Sequence, residues 1–340
     1  MKPKHIFIRF ILFISVSLLA SGYFLPAYYN VPYPAPLSPQ FDSTVKTEHQ
    51  NWIQENQPEI VLIGDSVLYE GVDPLLLTAE LGNETYAITV PGSGTASWYL
   101  LMKNVIFEST YRPKYVVILF RNTMLSVPQY RTTGRYFALL DDFASKNEPL
   151  VAQLTFINQM SPLEKFAQQY IPIYSLRLDI REDLDNFIRY RPASTFVGCD
   201  RECTDDAVSS IFGREVDPIA LNDMLEDAAQ TLYAPEEMDF ENQVEASFLP
   251  YMIQLAKENN IHLIFVKTKI FGAEPVELIE YSKSLKEYLL KSEDVFLLDF
   301  SQDPRITQDF YVDSLHMNPY GKTEFTKILA NELNEIFLKE

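Results

Sequence analysis

Two short segments of the chain carry residue types that can perform acyl transfer. Ser66 closes the triplet Gly-Asp-Ser at 64–66, directly after a short apolar run, and Asp313 precedes His316 by three residues. At that spacing a carboxylate can hold Nδ1 of the imidazole while Nε2 points toward a serine hydroxyl and activates it as a nucleophile. Taken singly, each segment has a structural explanation as well, a helix cap for the triplet and a structural ion pair for the histidine.

The histidine content narrows the choice of base. The chain has four histidines. His5 precedes the N-terminal apolar run, His49 lies in a proline-rich segment, and His262 starts a predicted strand at the sheet edge opposite Ser66. His316 is therefore the histidine that we expect to serve Ser66.

Two further turns follow predicted strands and can supply oxyanion donors. The first is Pro91-Gly-Ser-Gly94, where Gly92 allows close backbone approach and offers a free N–H. The second contains Asn122, whose side-chain amide can donate to the same oxyanion. Each is also consistent with an ordinary loop, and Gly94 is the alternative to Gly92.

The elements that position these residues alternate between strand and helix. Short, β-branched, continuously apolar runs are typical of buried parallel strands, and helices between them imply a parallel sheet covered on both faces. All the candidate residues then follow strands or precede the last helix, and so meet at the carboxyl edge of one sheet. The predicted strands are 59–64, 85–90, 114–120, 261–267 and 295–300, and the predicted helices 73–81, 95–107, 246–259, 275–291 and 319–338.

In this order the four segments resemble the blocks of the SGNH/GDSL hydrolase superfamily, named for a Ser, Gly, Asn and His. Ser66, Gly92, Asn122 and His316, the last with Asp313, match the four blocks over roughly 59–122 and 261–338. The third block departs from the usual Gly-X-Asn-Asp, since Phe, Arg, Asn and Thr occupy 120–123. The resemblance implies an α/β fold, a flavodoxin-like three-layer sandwich with a central parallel sheet. It also implies a triad of Ser66, His316 and Asp313, with an oxyanion hole of Ser66, Gly92 and Asn122.

A long segment, 124–245, interrupts the alternation between the third and fourth strands. Apolar residues recur at helical spacing in 161–170 and 174–190, so we predict an inserted helical subdomain. It leaves the sheet at the ligand-binding edge. A lid, an acceptor-docking surface and structural padding all remain open.

The amino terminus has the pattern of a membrane anchor. Residues 1–9 form a cationic flank, 10–29 an apolar run with tyrosines at its far end, and 30–51 a proline-rich linker. We expect the flank in the cytoplasm, a single transmembrane helix at 10–29, and a domain over 52–340 outside the cell membrane. A signal peptide cleaved near Ala20 and Gly22 is the alternative.

Composition excludes some partners. A formal net charge of −19 argues against nucleic acid, which needs a basic surface. Cys199 and Cys203 can form a disulfide after export or remain free thiols, and with no histidine nearby they make a poor zinc site. No cofactor and no metal are expected, because serine acyl transfer requires neither.

Within the superfamily, an anchored, outward-facing domain resembles proteins that O-acetylate alginate and other exported polysaccharides, and the D-alanyl transfer protein of teichoic acid synthesis. That similarity implies an acylated glycan or small acyl ester as substrate, and a multi-pass membrane O-acyltransferase as partner. A secreted lipase or carbohydrate esterase, and a non-catalytic envelope scaffold, are the alternatives.

Overall fold

The computed structural model describes residues 3–41, 45–212, 238–270 and 275–338. They divide into two compact units. The described residues of one lie within Met1–Pro39 and Phe156–Asp227, and those of the other within Gln40–Thr155 and Ala228–Glu340. The predicted insertion is therefore divided, since its residues 124–155 group with the sheet. Residues 213–237 of that insertion, and Met1 and Lys2 of the predicted flank, lie outside the described residues.

The second unit contains the predicted α/β fold. Its five strands form one sheet in the order β2-β1-β3-β4-β5, with every neighbouring pair parallel. This is the flavodoxin-like order, and the five predicted strands are confirmed to within one residue at each end. The strands are β1 (Ile60–Gly64), β2 (Thr85–Thr89), β3 (Tyr115–Phe120), β4 (His262–Lys267) and β5 (Val295–Asp299).

Both faces of the sheet are buried. Alternate side chains such as Leu62, Val117 and Leu119 share a core with Phe325 and other apolar side chains of the last helix. The intervening side chains, which project from the opposite face, are equally buried; they include Val61, Ile63, Val116 and Ile118. The continuous apolar runs of the sequence arise from this two-sided burial.

Helices connect the strands and cover the sheet. Asp73 caps one of them through its side chain with Pro74 in the first turn, as its sequence predicts. The helices of this unit are Glu48–Asn56, Ser66–Gly71, Pro74–Leu81, Thr95–Leu100, Phe137–Asp141, Pro149–Val151, Phe240–Gln243, Leu249–Glu258, Val276–Leu289 and Pro319–Phe337, with a π-helical turn at Leu101–Ile106 and 3₁₀ turns at Met124–Ser126, Gly134–Tyr136, Val244–Ala246 and Gln308–Phe310.

The first helix of the sheet-containing unit, Glu48–Asn56, precedes β1. The helix Glu48–Asn56 carries Trp52, whose ring stacks on Tyr86 at 3.9 Å between centroids, and His49 Nδ1 lies 2.7 Å from the Tyr86 hydroxyl. These contacts pack the helix onto β2. They also hold His49 beside Tyr86, which lies near the amino end of its strand, away from the carboxyl edge.

The first unit is helical and contains the N-terminal apolar segment. Its helices are α1 (Pro3–Tyr29), α2 (Pro162–Tyr170), α3 (Pro172–Ser175), α4 (Arg177–Pro192) and α5 (Arg201–Phe212). Among the described residues, α1 is the one helix long and apolar enough to cross a membrane, over His5–Tyr29, and none of its most apolar stretch is buried. Cys199 and Cys203 form a disulfide in this unit.

Candidate active site

Ser66 lies at the junction of β1 and the following helix. β1 ends at Gly64, and Asp65 caps the helix Ser66–Gly71 by accepting a hydrogen bond from Val67 N at 2.9 Å. A Cβ at position 64 would lie 2.6 Å from Cβ of Leu68, so glycine permits the close approach of strand and helix. The strand and its cap therefore place the Ser66 hydroxyl at the carboxyl edge of the sheet.

Asp313 and His316 lie on a tight turn that precedes the C-terminal helix. An antiparallel bridge joins Tyr311 to Met317 at the base of the turn, and Val312 N donates to His316 O at 2.9 Å. Within the turn, Asp313 Oδ1 accepts from the backbone N–H groups of Leu315 and His316, both at 2.7 Å. The carboxylate thus organises the loop that carries the imidazole.

The next residues hold this turn against the C-terminal helix. Asn318 caps that helix by accepting from Gly321 N at 2.8 Å, and its amide donates to Asp309 O at 2.7 Å. A Cβ on Gly321 would come within 2.7 Å of both Cα and Cβ of Phe310, so only glycine fits between helix and loop. Packing and hydrogen bonds therefore fix the position of the loop on both sides of His316.

The structure brings three of the predicted site residues into one hydrogen-bonded chain. His316 Nε2 lies 2.9 Å from Ser66 Oγ, and His316 Nδ1 lies 2.8 Å from Asp313 Oδ2. The side chains of His316 and Asp313 are 21% and 35% exposed, so the pair is open to a substrate from solvent. An imidazole held at Nδ1 with Nε2 on a serine hydroxyl has the geometry of a nucleophile and its base.

Hydrogen bonding keeps Asp313 ionised. Partial burial opposes its charge, but the N–H groups of His316 and Leu315 and the imidazole of His316 together outweigh burial and lower the pKa of Asp313. A charged carboxylate at this position stabilises the positive charge that the imidazole gains when it accepts a proton.

The glycine turn after β2 lies beside the hydrogen-bonded side chains of Ser66, His316 and Asp313. Val90 N donates to Gly64 O at 2.9 Å, and Pro91 lines the same cleft as Ser66 and His316. Gly92 has φ +84°, where other residues are strained. A Cβ on Gly94 would lie 2.7 Å from Tyr130 O, so Gly94 serves the packing of the loop. Gly92 itself is not among the residues that line the cleft.

Asn122 is buried two residues after β3. Its φ is +48°, a left-handed conformation that asparagine tolerates better than most residues. It is 1% exposed, and neither Oδ1 nor Nδ2 has a hydrogen-bond partner. A buried amide without partners costs free energy in the folded state, so such a group points to a ligand that completes it. Like Gly92, Asn122 is not part of the cleft lining.

The cleft itself has a volume of about 530 Å³ and lies entirely within the sheet-containing unit. Two exposed side chains stand at its rim, Tyr69 at 53% and Val312 at 67%. Lys322 Nζ donates to Tyr69 O at 2.6 Å, which ties the rim to the C-terminal helix. The lining residues are Ser66, Tyr69, Glu70, Pro91, Val312, Asp313, His316, Met317, Asn318 and Pro319.

A buried polar network that the sequence did not predict lies beside the nucleophile turn. Arg121 Nε lies 3.8 Å from Asp65 Oδ2, both side chains are at most 5% exposed, and Arg121 Nη2 donates to the Tyr130 hydroxyl at 2.9 Å. Arg131 then stacks between the rings of Tyr130 and Tyr136, 5.1 Å and 5.0 Å from their centroids. Arginines alternating with tyrosines directly after the third strand are the sequence signal for it.

This network also reaches the glycine turn. The Tyr136 ring would lie 3.1 Å from a Cβ on Gly92, and Arg131 Nη1 would lie 3.7 Å from it. Asp65, next to the nucleophile, is thereby linked through the loop 121–136 to the turn that holds Gly92. The network supports the positions of both turns with respect to each other.

No metal centre accompanies the site in the part of the chain that the structure describes, where no group of three or more His, Cys, Asp or Glu side chains is arranged to hold an ion. The two cysteines are bonded to each other in the helical unit.

No family model matches the chain, and neither does any curated protein. Solved structures with a similar course of the chain include an acetyl xylan esterase, Est2A, from the rumen bacterium Butyrivibrio proteoclasticus and a family two carbohydrate esterase from Clostridium thermocellum. Each is 10% identical over 82% of this chain, with a TM-score of 0.35. A putative platelet activating factor from Streptococcus pneumonia is 11% identical over 84% of this chain and 91% of its own, again with a TM-score of 0.35.

The chain spans 64% of the length of the two esterase structures. At these values the likeness carries no argument about activity. The strand order and the two-sided burial of the sheet identify the fold, and the geometry around Ser66 indicates the chemistry.

Proposed function

We propose that this protein is an extracytoplasmic serine esterase or O-acyltransferase that acts on acyl esters of a cell-envelope or exported polysaccharide. The observation that carries the proposal is the chain of hydrogen bonds from Ser66 through His316 to Asp313 in an open cleft. A serine hydroxyl is a weak nucleophile near neutral pH, and a hydrogen-bonded imidazole removes that limitation.

In the first half of the proposed reaction, Ser66 Oγ attacks the ester carbonyl carbon as His316 Nε2 accepts the hydroxyl proton. Asp313 holds the opposite ring nitrogen and stabilises the imidazolium. The tetrahedral intermediate collapses when His316 returns the proton to the leaving alkoxide oxygen. The products of this half are the free alcohol and an acylated Ser66.

In the second half, a water molecule or a glycan hydroxyl attacks the acyl carbon. His316 takes the proton of the attacking group and then returns it to Ser66 Oγ as the acyl–serine bond breaks. Water gives a carboxylic acid, so the reaction is hydrolysis, whereas a sugar hydroxyl gives a new ester, so the reaction is transfer. The same three side chains serve both outcomes, and the acceptor decides between them.

The oxyanion of both intermediates needs donors that are already oriented. We assign this role to the N–H groups of Ser66 and Gly92 and to the side-chain amide of Asn122. The buried, unpartnered amide of Asn122 supports the assignment, because a bound oxyanion would satisfy a polar group that is costly to leave unpaired. The positive φ of Gly92, which glycine adopts without strain, allows the backbone to approach a ligand closely. The Asp65–Arg121–Tyr130 network supports the turns that carry these donors and so maintains their positions relative to one another.

The nucleophile is tested with a fluorophosphonate probe on the purified full chain. We expect stoichiometric labelling that Ser66→Ala abolishes and that Ser292→Ala, a substitution in the loop after Val276–Leu289, leaves intact. His316→Ala is expected to reduce labelling to background, while His262→Gln, at the amino end of β4, retains it. Labelling that survives Ser66→Ala in a folded variant would show that the nucleophile is another residue.

Hydrolysis and transfer are separated by the fate of the acyl-enzyme. The enzyme is first acylated with an activated acetyl ester. It is then incubated in buffer alone or with an oligosaccharide fragment of an exported polysaccharide, and the products are identified by mass spectrometry. An acetylated oligosaccharide formed at the expense of acetate indicates a transferase. Acetate as the sole product at every oligosaccharide concentration indicates an esterase.

The proposed location rests on α1, with its cationic flank and its exposed, apolar course. We propose an uncleaved, single-pass anchor with the Ser66 domain outside the cell membrane, where a multi-pass acyltransferase can supply the acyl group. Protease added to intact spheroplasts is expected to digest the domain. Full protection would contradict the orientation, and a mature amino terminus near Tyr23 would contradict the anchor alone.

A further inference from the structure

Helix α2 turns its apolar side outward. Leu163, Phe166 and Tyr170 lie on one side at the spacing of successive helical turns, and they are 76%, 55% and 48% exposed. Lys165 and Gln168, on the opposite side, are partly buried. A surface helix of a globular protein normally buries its apolar side and exposes its polar one. The reversed arrangement in α2 indicates that something other than the described residues of this unit covers this side.

The two helices that follow repeat the pattern. On α4, Leu184, Phe187 and Ile188 form a second stripe and are 53%, 55% and 65% exposed, and Ile173 of α3 is 52% exposed. Soluble monomers rarely expose so many large apolar side chains in one small unit. We call these seven residues the outer apolar set; its members are Leu163, Phe166, Tyr170, Ile173, Leu184, Phe187 and Ile188.

Three hydrogen bonds attach these helices to the carboxyl end of α1. The Tyr29 hydroxyl donates to Asp183 of α4 at 2.8 Å. Just beyond α1, the Tyr33 hydroxyl donates to Tyr170 O at 2.7 Å and Ala35 N donates to Gln169 O at 3.1 Å. The outer apolar set is therefore held at the level where α1 ends.

A cleft continues the same surface onto α1. It has a volume of about 980 Å³, and Phe24, Leu25 and Tyr28 line it together with Leu184 and Phe187 of the outer apolar set. Aromatic side chains at the end of α1 are themselves exposed, Phe24 at 65% and Tyr28 at 74%. Aromatic residues concentrate at the headgroup level when a helix crosses a bilayer. The cleft therefore brings apolar side chains at the end of α1 together with those of α4, alongside polar residues such as Asp183 and Asn186.

We propose that α2, α3 and α4 lie in the outer interface of the bilayer that α1 crosses, with the outer apolar set inserted among lipid chains. The proposal rests on the transmembrane orientation of α1 given above. If α1 crosses the membrane, its carboxyl end lies at the headgroup level, and helices tied to that end lie at the same depth. An amphipathic helix at this depth buries its apolar side about 5–10 Å into the boundary between headgroups and acyl chains.

The charges of α4 agree with insertion rather than electrostatic adhesion. Glu182 lies on the side of α4 away from Leu184 and Phe187, and it is exposed. α4 carries four arginines and four acidic residues, so its formal charges cancel, and the chain as a whole has a formal net charge of −19. Neither balance gives a net attraction to anionic lipid. Contact with the bilayer is therefore expected in purely zwitterionic phosphatidylcholine.

The test uses the full chain in phosphatidylcholine nanodiscs with an environment-sensitive fluorophore on one introduced cysteine. Both native cysteines are in the disulfide, so Phe166→Cys and Phe187→Cys each offer one thiol. Glu182→Cys is the matched control on the opposite side of α4. The quencher is a lipid that carries its nitroxide near the headgroup. We expect the fluorophores at 166 and 187 to be quenched at least threefold more than the one at 182. We also expect their emission to be shifted to the blue.

A fluorophore at Phe13→Cys in α1 tests the transmembrane anchor separately from the interfacial position of α2, α3 and α4. Its quenching is measured with a nitroxide located deep among the acyl chains. Quenching at 13 together with equal, weak quenching at 166, 187 and 182 would overturn the inference and leave the anchor standing. No quenching at 13 would overturn both. Labels at 166 and 187 that are shielded in detergent as protein concentration rises, without lipid quenching, would show that a second copy of the chain covers the surface. The proposed catalytic function is tested independently of this experiment, by fluorophosphonate labelling of Ser66.

Discussion

The two units of this protein differ in how far their large apolar side chains are buried. In the sheet-containing unit, Leu119 and its neighbours on both faces of the sheet are fully buried. In the helical unit, Leu163 on α2 and Phe187 on α4 are more than half exposed. The first arrangement stabilises one fixed geometry, which a hydrogen-bonded site requires. The second leaves apolar surface for contact with other molecules. Burial in one unit and exposure in the other are therefore both informative about function.

The largest effect is expected where the site depends on a fixed carboxylate. Asp313→Asn should keep the turn but change how the imidazole is held, and we expect kcat to fall by about 10²- to 10⁴-fold. Steady-state hydrolysis of a soluble acyl ester measures it, with thermal unfolding as the control for folding. A variant with the wild-type kcat would show that Asp313 does not act through His316.

Next in size is the loss of the buried amide. Asn122→Ala removes a proposed oxyanion donor and should reduce kcat about 10²- to 10³-fold. Asn122→Gly is the matched control, because it also lacks the amide but tolerates the φ of +48°. Equal losses of kcat in both variants, with a smaller loss of stability in Asn122→Gly, would support the donor role. Activity recovered by glycine would instead assign the effect to backbone strain.

A stability effect that depends on pH is expected at Glu148. This carboxylate is buried, and burial opposes its charge, but hydrogen bonds from Lys103, Ser145 and Asn104 lower the pKa of Glu148. A pKa that is lower in the folded state stabilises the fold above the ordinary value of 4.5, and this contribution is lost as pH falls through the folded value. Glu148→Gln should therefore cost about 1.5–3 kcal/mol at pH 7.

The same variant should differ less from the wild type as the pH is lowered beneath about 4.5. Thermal unfolding of both proteins between pH 3 and 7 measures the difference. A difference in melting temperature that does not change across this range would contradict the role assigned to the charge of Glu148.

A smaller effect is expected from the network behind the nucleophile. Tyr130→Phe removes the hydrogen bond from Arg121 and keeps the ring on which Arg131 stacks. We expect kcat to fall about 3- to 30-fold with KM little changed, because only part of the free energy of one hydrogen bond of a charged group is passed on to the transition state. Tyr130→Leu, which removes the ring too, should cost more in both kcat and stability. A Tyr130→Phe variant that changes only the melting temperature would make the network purely structural.

The smallest effect is expected at Leu163, and Leu119 in the other unit provides the contrast. Leu119→Ala in the buried sheet should cost about 2–5 kcal/mol, whereas Leu163→Ala on the exposed side of α2 should change stability by less than about 0.5 kcal/mol. Thermal unfolding in detergent measures both. A large loss at Leu163 would show that its side chain is buried within the protein.

Much of the fold follows from local patterns. The five buried strands were predicted to within a residue, because continuous β-branched runs between helical segments have few other solutions in a soluble domain. The helix predicted at 95–107 is confirmed to within one residue, although its geometry changes from α-helical to π-helical after Leu100. The packing of the helix Glu48–Asn56 onto β2 does not follow from local patterns, because it depends on a long-range contact between Trp52 and Tyr86.

The order of residue types along the chain was enough to predict that Ser66, Gly92 and Asn122 follow parallel strands whose carboxyl ends share one edge. It also determined the long apolar segment at the amino terminus. The folded structure was needed to show that His316 Nε2 lies 2.9 Å from Ser66 Oγ, a residue 250 positions earlier. It was also needed to show that α2 exposes its apolar side. Periodicity shows that a helix has an apolar side, but which side is covered depends on contacts between distant segments. Those contacts are set by packing and hydrogen bonding throughout the folded chain.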